Sequence, residues 1–319
     1  ILPLTALACL AVSSPSSAVD WTDDARIDRW FQDLERHATS PAGLPALVHL
    51  SEHQENSDVA VRLDGLAERL VASRRTDPVV TARLHEWLGT RGSRRGDVTG
   101  AREHFAAAGY LADWATLGPY PNYGGASMGR VVGPEVEGCS EGCEHEGREM
   151  AWIDRPGLGA QGFLNLGSCM EERTDTIAFL RTFVHVGQET EAALYVGGDD
   201  GLVVELGGRV VLRELDRRTS RPDQQATGVV IPRGWSELRV KSGHENGSWG
   251  VYLRLTRPDG RPLEGVSHQS TPPGELALAP ATTVQVHDPV AVALAGAEFK
   301  DASAEALTLA AVLAVGTGV

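Results

Sequence analysis

The sequence lacks a long apolar run after its first residues, and it lacks a zinc-protease HExxH motif. A membrane-spanning helix needs about 20 consecutive, mostly apolar residues. We therefore predict no transmembrane span once the N-terminal segment is removed. The histidines His145, His185, His244 and His268 are scattered without a partner motif. The chain is accordingly predicted not to be an enzyme within these residues.

Positive charge is scarce as well. The 319 residues contain 29 Lys and Arg against 43 Asp and Glu, which gives a net charge of −14. A nucleic-acid-binding surface needs a cationic patch, so nucleic acid is excluded as the main partner. The tightest basic cluster, Arg91, Arg94 and Arg95, lies among Gly and Ser and is interpreted as a solvated turn.

The first 18 residues, ILPLTALACLAVSSPSSA, are predicted to be a secretory signal peptide. An apolar run of about a dozen residues is followed by a small, polar stretch, and Ser16 and Ala18 fit cleavage after Ala18. Without an initiator Met or a basic start, the natural N-terminus is expected a few residues upstream. Lipid anchoring through Cys9 and a buried N-terminal helix are the alternatives. The signal predicts export to the periplasm, the outer envelope or the extracellular space.

The sequence contains only four cysteines, and each needs an assignment. Cys9 leaves with the signal peptide, whereas Cys139, Cys143 and Cys169 stay. In an oxidising compartment Cys143 pairs either with Cys139 or with Cys169, and the sequence does not choose between them. A zinc site formed by these three cysteines and His145 is a further alternative, because zinc favours close Cys pairs together with His.

Residues 19–112 have a helical pattern. Apolar residues recur at helical spacing in Asp28–Leu34, in Ala60–Ala72 and again after Pro78. Asp77 before Pro78 is a favourable N-cap followed by a first-turn proline, and Asp97 precedes the next helix. These short helices resemble a tetratricopeptide-type array of helical hairpins, although no 34-residue repeat is evident.

Residues 113–265 have short β-type runs punctuated by Gly and Pro. The clearest hairpin joins Leu202–Leu206 to Arg209–Arg213 through Gly207 and Gly208, which supply the positive φ that such a turn needs. Further strands are predicted at 163–166, 176–186, 191–196, 226–231, 237–241 and 249–256. About eight strands at this spacing predict a β-sandwich or jelly roll.

The chain is therefore predicted to be an α+β multidomain protein with N-terminal helical hairpins, a central antiparallel β-sandwich of the jelly-roll type and a C-terminal helical segment. Residues 266–285 are predicted to be a linker rich in Ser, Thr and Pro, and 286–319 the start of a further helical repeat. The missing start and the abrupt end predict a fragment of a longer protein.

Several motifs between Trp114 and Leu263 resemble a β-sandwich module of secreted bacterial proteins. They are Trp114-x-x-Leu117-Gly118-Pro119-Tyr120-x-Asn122, Pro134-Glu135, Gly198-Asp199-Asp200-Gly201, Arg217 to Asp223-Gln224, Gly234-Trp235-x-x-Leu238 and Trp249-Gly250-x-x-Leu253-Arg254. With helical repeats on either side, the arrangement is similar to the N-terminal region of large exported tetratricopeptide proteins that carry a transglutaminase-like domain further on. The resemblance implies a non-catalytic binding or scaffolding protein. The alternative is the non-catalytic front part of a transglutaminase-like peptidase or glycoside hydrolase.

The same module resembles, more distantly, the galactose-binding-like and protective-antigen-type jelly rolls. In calcium-dependent members of the latter group, consecutive aspartates bind Ca²⁺, which holds sugar hydroxyls, and Asp199 and Asp200 stand at the matching position. The resemblance implies that Asp199, Asp200 and Gly201 contact a ligand, with a glycan or an envelope protein as partner. A tight structural turn is the other interpretation of the same residues. Trp235 and Trp249 are candidate sugar platforms, with Tyr120 and Tyr123 as further options, and the alternative for a Trp in a strand is a position in the core.

Overall fold

The computed structural model describes residues 24–170, 174–277 and 281–284. Its described part begins with α-helices that confirm the predicted helical region. They are α1 (Asp24–His37), α2 (Leu44–Glu52), α3 (Ser57–Val71), α4 (Pro78–Arg94) and α5 (Val98–Ala107). None of these described helices is long and apolar enough to cross a membrane.

Side-chain caps fix where three of these helices begin. Asn56 accepts hydrogen bonds from the backbone N–H groups of α3, and Asp77 does the same for α4, whose first residue is Pro78. Asp97 accepts from the amide of Gly100 in α5 at 2.9 Å. These acceptors satisfy N–H groups that have no partner inside a helix, and the predicted cap Asp77 is confirmed.

The strands follow from Trp114 onward. They are β1 (Trp114–Pro121), β2 (Gly142–His145), β3 (Arg148–Ala151), β4 (Ile153–Arg155), β5 (Phe163–Asn165), β6 (Thr176–Val186), β7 (Thr190–Gly198), β8 (Leu202–Leu206), β9 (Arg209–Glu214), β10 (Gln225–Ile231), β11 (Gly234–His244), β12 (Gly250–Thr256), β13 (Val266–Gln269) and β14 (Thr282–Val284). The predicted turn between β8 and β9 is confirmed, because Gly207 and Gly208 both have positive φ.

Two antiparallel sheets form a β-sandwich. One sheet has the order β4-β1-β6-β11-β8-β9, with β13 alongside β6, and the other has the order β14-β10-β7-β12-β5. β6 and β11 pair along their whole length, from Gly234 opposite Val186 to His244 opposite Thr176. The inner faces supply a shared apolar core, to which Leu180 and Val240 contribute from one sheet and Val196 and Leu253 from the other.

A buried ionic cluster joins the helices to the sandwich. Arg254 on β12 donates two hydrogen bonds of 2.7 Å to the carboxylate of Asp223, and Arg83 on α4 lies 3.6 Å from the same carboxylate. Arg83 also donates to the carbonyl of Pro222 at 2.8 Å, and to Glu86 at 2.6 Å. Tyr110 completes the cluster by donating to Glu86. Because these groups are buried together, helix α4 is fastened to the loop before β10.

The structure contains several strands that the sequence did not predict. The segment predicted as a linker contributes β13, which pairs with β6, and β14, which pairs with β10. The hairpin β2–β3 was also not predicted, because its residues are mostly polar and show no apolar alternation. In all three cases the residues form a strand because a partner strand is available to pair with them. The local sequence pattern does not contain this information. The predicted signal peptide 1–18 and the C-terminal helical segment 286–319 lie outside the described residues.

Candidate functional site

The Asp199-Asp200-Gly201 segment forms the turn between β7 and β8. Asp200 lies in the left-handed region with φ of 55°. Asp tolerates this conformation better than most residues. The amide of Asp200 donates to the carbonyl of Arg218 at 3.0 Å, and the amide of Asp199 donates to the carbonyl of Gly250 at 3.3 Å. The turn is therefore held from two sides, by the loop between β9 and β10 and by the start of β12.

Both carboxylates of this turn are used inside the protein. Asp199 accepts from the hydroxyl of Ser248 at 3.0 Å, and Asp200 accepts from the amide of Glu245. Burial raises the pKa of Asp199 above its ordinary value, although the hydrogen bond from Ser248 opposes the shift. The carboxylates of the two aspartates thus stabilise the turn at residues 245–248.

A calcium ion needs six to eight oxygen ligands. Among the residues that the structure describes, no group of three or more His, Cys, Asp or Glu side chains converges on a point that could hold a metal ion. Asp199 and Asp200 by themselves are two carboxylates, each already engaged by a protein donor. The described residues therefore do not fit a calcium site.

A cleft of about 260 Å³, here called the acidic cleft, lies beside the turn. Its polar lining consists of Asn122, Asp175, Asp200, Arg217, His244 and Glu245. Arg217 pairs with Glu245 at 2.7 Å, so the wall of the cleft contains one cationic side chain and several anionic ones. Donors and acceptors for a polar ligand are therefore both present.

The acidic cleft adjoins a second one of about 360 Å³, here called the tyrosine cleft. Its lining includes Pro119, Tyr120, Pro121, Tyr123, His145 and Asp175. Asp175 lines both clefts, which makes them neighbours around one residue. Tyr123 is 77% exposed, whereas Tyr120 is buried with its edge against His145 and Phe179. Burial also raises the pKa of Tyr120 to about 12.

Backbone contacts fix Asp175 in its position between the clefts. It has a φ of 52°, its carbonyl accepts from the amide of Asn122 at 2.6 Å, and its amide donates to the carbonyl of Glu245 at 3.3 Å. Asn122 in turn accepts from the amide of Ser127 at 3.0 Å, which shapes the loop carrying Tyr123. The sequence motifs gave no site role to Asp175, Arg217 or Glu245. A single Asp between two threonines carries no local signal of a site.

The predicted tryptophan platforms do not meet the Asp199–Asp200 turn on one surface. Trp249 is 2% exposed, stacks on His244 at 5.0 Å and donates to the hydroxyl of Ser242, so its ring belongs to the core. Trp235 is half-buried against His185 at the opposite end of β11. His244 lies nine positions further along the strand, which corresponds to ~30 Å at ~3.3 Å per residue.

Residues of the motifs that carry the resemblance hold the loops around the site in position. Gln224 accepts from the amides of Gly198 and Arg221 at 3.1 Å each and donates to the carbonyl of Thr219. With Asp223 held by Arg254, the loop between β9 and β10 is anchored at its end. This loop carries the Arg218 carbonyl that binds the Asp200 amide.

Residues 125–129 read Gly-x-Ser-x-Gly, the pattern of a nucleophile elbow. That motif requires a strand, a sharp turn and a helix, whereas this segment is a short 3₁₀ turn between Tyr123 and Gly129. The hydroxyl of Ser127 donates to the carbonyl of Pro121 at 2.7 Å. Ser127 is therefore a loop-stabilising residue in this geometry.

The structure joins Cys139 to Cys143 in a disulfide, with Cα atoms 5.2 Å apart. Cys169 is a free, half-buried thiol whose pKa is raised by burial. Two of the three cysteines of the zinc alternative are thus bonded to each other and cannot serve as thiolate ligands.

No family model matches the sequence, and no curated protein does. Among solved structures, the chain is similar to the PA14 domain of the MpAFP antifreeze protein, at 12% identity over 53% of this chain and 77% of that one, with a TM-score of 0.28. It is also similar to the Epithelial Adhesin 9 A domain of Candida glabrata, solved with Galβ1-3GlcNAc, at 10% identity over 53% and 93%, with a TM-score of 0.34.

A β-glucosidase from Kluyveromyces marxianus matches at 11% identity and a TM-score of 0.31. The match covers 46% of this chain but only 16% of the length of the glucosidase. At such identities these similarities concern the fold of the sandwich alone.

Proposed function

We propose that the chain is an exported, non-catalytic binding protein whose jelly-roll module binds carbohydrate in the adjoining acidic and tyrosine clefts. The observation that carries this proposal is the position of Asp175, which lines both clefts next to the exposed ring of Tyr123. Export rests on the predicted signal peptide, and the absence of a catalytic role rests on the sequence motifs.

The chemistry of the clefts supports a sugar as ligand. Sugar hydroxyls donate to carboxylates such as Asp175 and accept from a guanidinium such as that of Arg217. An exposed aromatic ring offers an apolar face for the C–H side of a sugar ring, and Tyr123 provides one at the rim. The backbone bonds that fix Asp175 reduce the entropy lost on binding.

The test is a glycan array screen with the full chain, followed by titration of the best ligand. Tyr123→Ala is expected to weaken binding about tenfold, which corresponds to ~1.4 kcal/mol, whereas Tyr123→Phe retains the ring and most of the affinity. Asp175→Asn removes the shared charge and weakens binding by a similar factor.

The control is Trp235→Phe, because Trp235 lies at the far end of β11 and should not affect affinity. Adding EDTA is expected to leave binding unchanged, since the described residues do not form a calcium site. Loss of binding with EDTA, or with Trp235→Phe but not with Tyr123→Ala, would reject the placement of the ligand in these clefts.

A scaffolding role towards an envelope protein is a second candidate. It is favoured by the buried cluster of Arg83, Asp223 and Arg254, which fastens the helices to the sandwich as one unit. A glycan screen without hits, together with a specific protein cross-link from intact cells, would favour this role. The front part of a larger transglutaminase-like peptidase or glycoside hydrolase would be indicated by a catalytic domain encoded downstream.

A further inference from the structure

Two histidines meet across the hairpin formed by α4 and α5. The Nδ1 atoms of His85 on α4 and His104 on α5 lie 2.9 Å apart, and the ring centroids lie 5.2 Å apart. Both side chains are half-buried. The helices approach closely here because Gly89 has no side chain, and a Cβ in its place would lie 2.8 Å from the ring of Phe105. The helix backbones thus hold the two imidazoles together.

Among the described residues, no Asp or Glu side chain forms an ion pair with either imidazole of the pair. Glu86, which follows His85 in the sequence, is already engaged by Tyr110 at 2.7 Å and by Arg83 at 2.6 Å. The two imidazoles therefore contact each other, and a neutral imidazole is the form in which histidine binds metals.

We propose that His85 and His104 together bind one divalent transition-metal ion of the Cu²⁺ or Ni²⁺ class through their Nδ1 atoms. Metal–imidazole bonds are about 2.0–2.1 Å long. Two such ligands at a right angle place their nitrogens ~2.9 Å apart, whereas a tetrahedral angle places them ~3.3 Å apart. The 2.9 Å between the two Nδ1 atoms is the length of a hydrogen bond in the metal-free pair, and it is also compatible with two ligands at a right angle, as in tetragonal copper and nickel sites.

In the metal-free pair one Nδ1 donates its proton to the other. Binding of the ion needs both Nδ1 lone pairs, so each ring carries its remaining proton on Nε2. No proton is lost from a neutral pair, and only the tautomer of one ring changes. Within the described residues, no third His, Cys, Asp or Glu joins the pair to complete a larger ligand set. Water therefore occupies the other positions, and the ion remains exchangeable.

The experiment is a titration of the tag-free full chain with Ni²⁺ at pH 7.5 in a non-coordinating buffer, followed by calorimetry. Saturable binding of one ion is expected. His85→Asn and His104→Asn should each weaken it at least ~10-fold, because even the loss of a group that only supports a metal ligand costs ~10–100-fold. The metal-free unfolding temperature of each variant reports whether the hairpin still folds.

The matched control is His53→Asn. His49 and His53 form a second histidine pair, around Trp30, but His53 Nδ1 contacts the carbonyl of His49 at 2.8 Å, and His49 Nδ1 lies 3.8 Å from Glu52. The control should bind Ni²⁺ as the wild type does. Unchanged affinity in both His85→Asn and His104→Asn, or an equal loss in His53→Asn, would overturn the proposal.

A second measurement uses the wild-type chain, so its result does not depend on whether a variant folds. The electron paramagnetic resonance spectrum of the wild-type chain with one equivalent of Cu²⁺ should show nitrogen splitting from two imidazoles. A spectrum with a single nitrogen ligand, or that of free aqueous copper, would refute a site shared by the two histidines.

Discussion

Replacing Asp223 by Asn tests how the helices are fastened to the sandwich. The substitution keeps the size of the side chain but removes the charge that two buried or half-buried guanidinium groups share. Arg254 is fully buried and Arg83 mostly so. Breaking a buried ion pair by removing one partner costs about 3–5 kcal/mol. Because a whole domain is stable by only about 5–15 kcal/mol, Asp223→Asn is expected to lower the unfolding midpoint strongly.

The assay is urea unfolding of the full chain, followed by circular dichroism. The matched control is Glu35→Gln, which breaks the ion pair between Glu35 and Arg69. The two side chains of this pair lie 2.8 Å apart, and they are exposed to 55% (Glu35) and 65% (Arg69). Exposed pairs contribute about 0–1 kcal/mol. If Asp223→Asn costs no more than Glu35→Gln, the cluster does not fasten the two parts, and the assignment of its role is wrong.

The pH dependence of the same variant gives an independent check. Burial alone would raise the pKa of Asp223, but Arg254 and then Arg83 hold it below its ordinary value of 3.8. A carboxylate with a lowered folded-state pKa stabilises the protein above the unfolded-state value, and this contribution is lost as the pH falls through the folded-state value. The stability difference between wild type and Asp223→Asn should therefore narrow below about pH 4. A difference that stays constant down to pH 2 would contradict the ionic role.

Two glycine substitutions should act in opposite directions, and urea unfolding measures both. Gly65→Ala in the middle of α3 meets no atom within 4 Å and is expected to stabilise the chain by about 0.5–1 kcal/mol. Gly197→Ala would place its Cβ 1.7 Å from the carbonyl oxygen of Arg221 and is expected to destabilise the chain by about 1–3 kcal/mol. Equal changes in unfolding free energy for the two substitutions would refute the close packing at Gly197. Because burial raises the pKa of Cys169, iodoacetamide at pH 7 should label the peptide containing Cys169 much faster in urea than in the folded chain, as read by mass spectrometry.

Local signals predicted a large part of the fold. Asp77 caps its helix as predicted, because a cap is a hydrogen bond between residues two or three positions apart. The Gly207-Gly208 turn followed from the need for positive φ. The alternation and length of the apolar runs also indicated most central strands, and β6 and β8 have the predicted bounds.

Other features depended on partners far away in the sequence. Strand β14 pairs with the open edge of β10, and β13 pairs with residues 183–186 of β6, beyond the part of β6 that pairs with β1. Trp249 was a plausible ligand platform in the sequence, but the fold turns its ring into the core beside His244. The closeness of His85 and His104, 19 residues apart, follows only from the antiparallel packing of α4 and α5.

The candidate site likewise combines features with a local sequence signal and features that depend on distant partners. By itself, the sequence indicated either a turn or a ligand contact at Asp199, Asp200 and Gly201, because Asp and Gly favour turns through their local conformational preferences. Only the tertiary structure decided that Asp175 lies beside this turn and between two clefts. The physical reason is that a site assembled from separate loops depends on sheet pairing and side-chain packing over long distances, which no short stretch of sequence specifies.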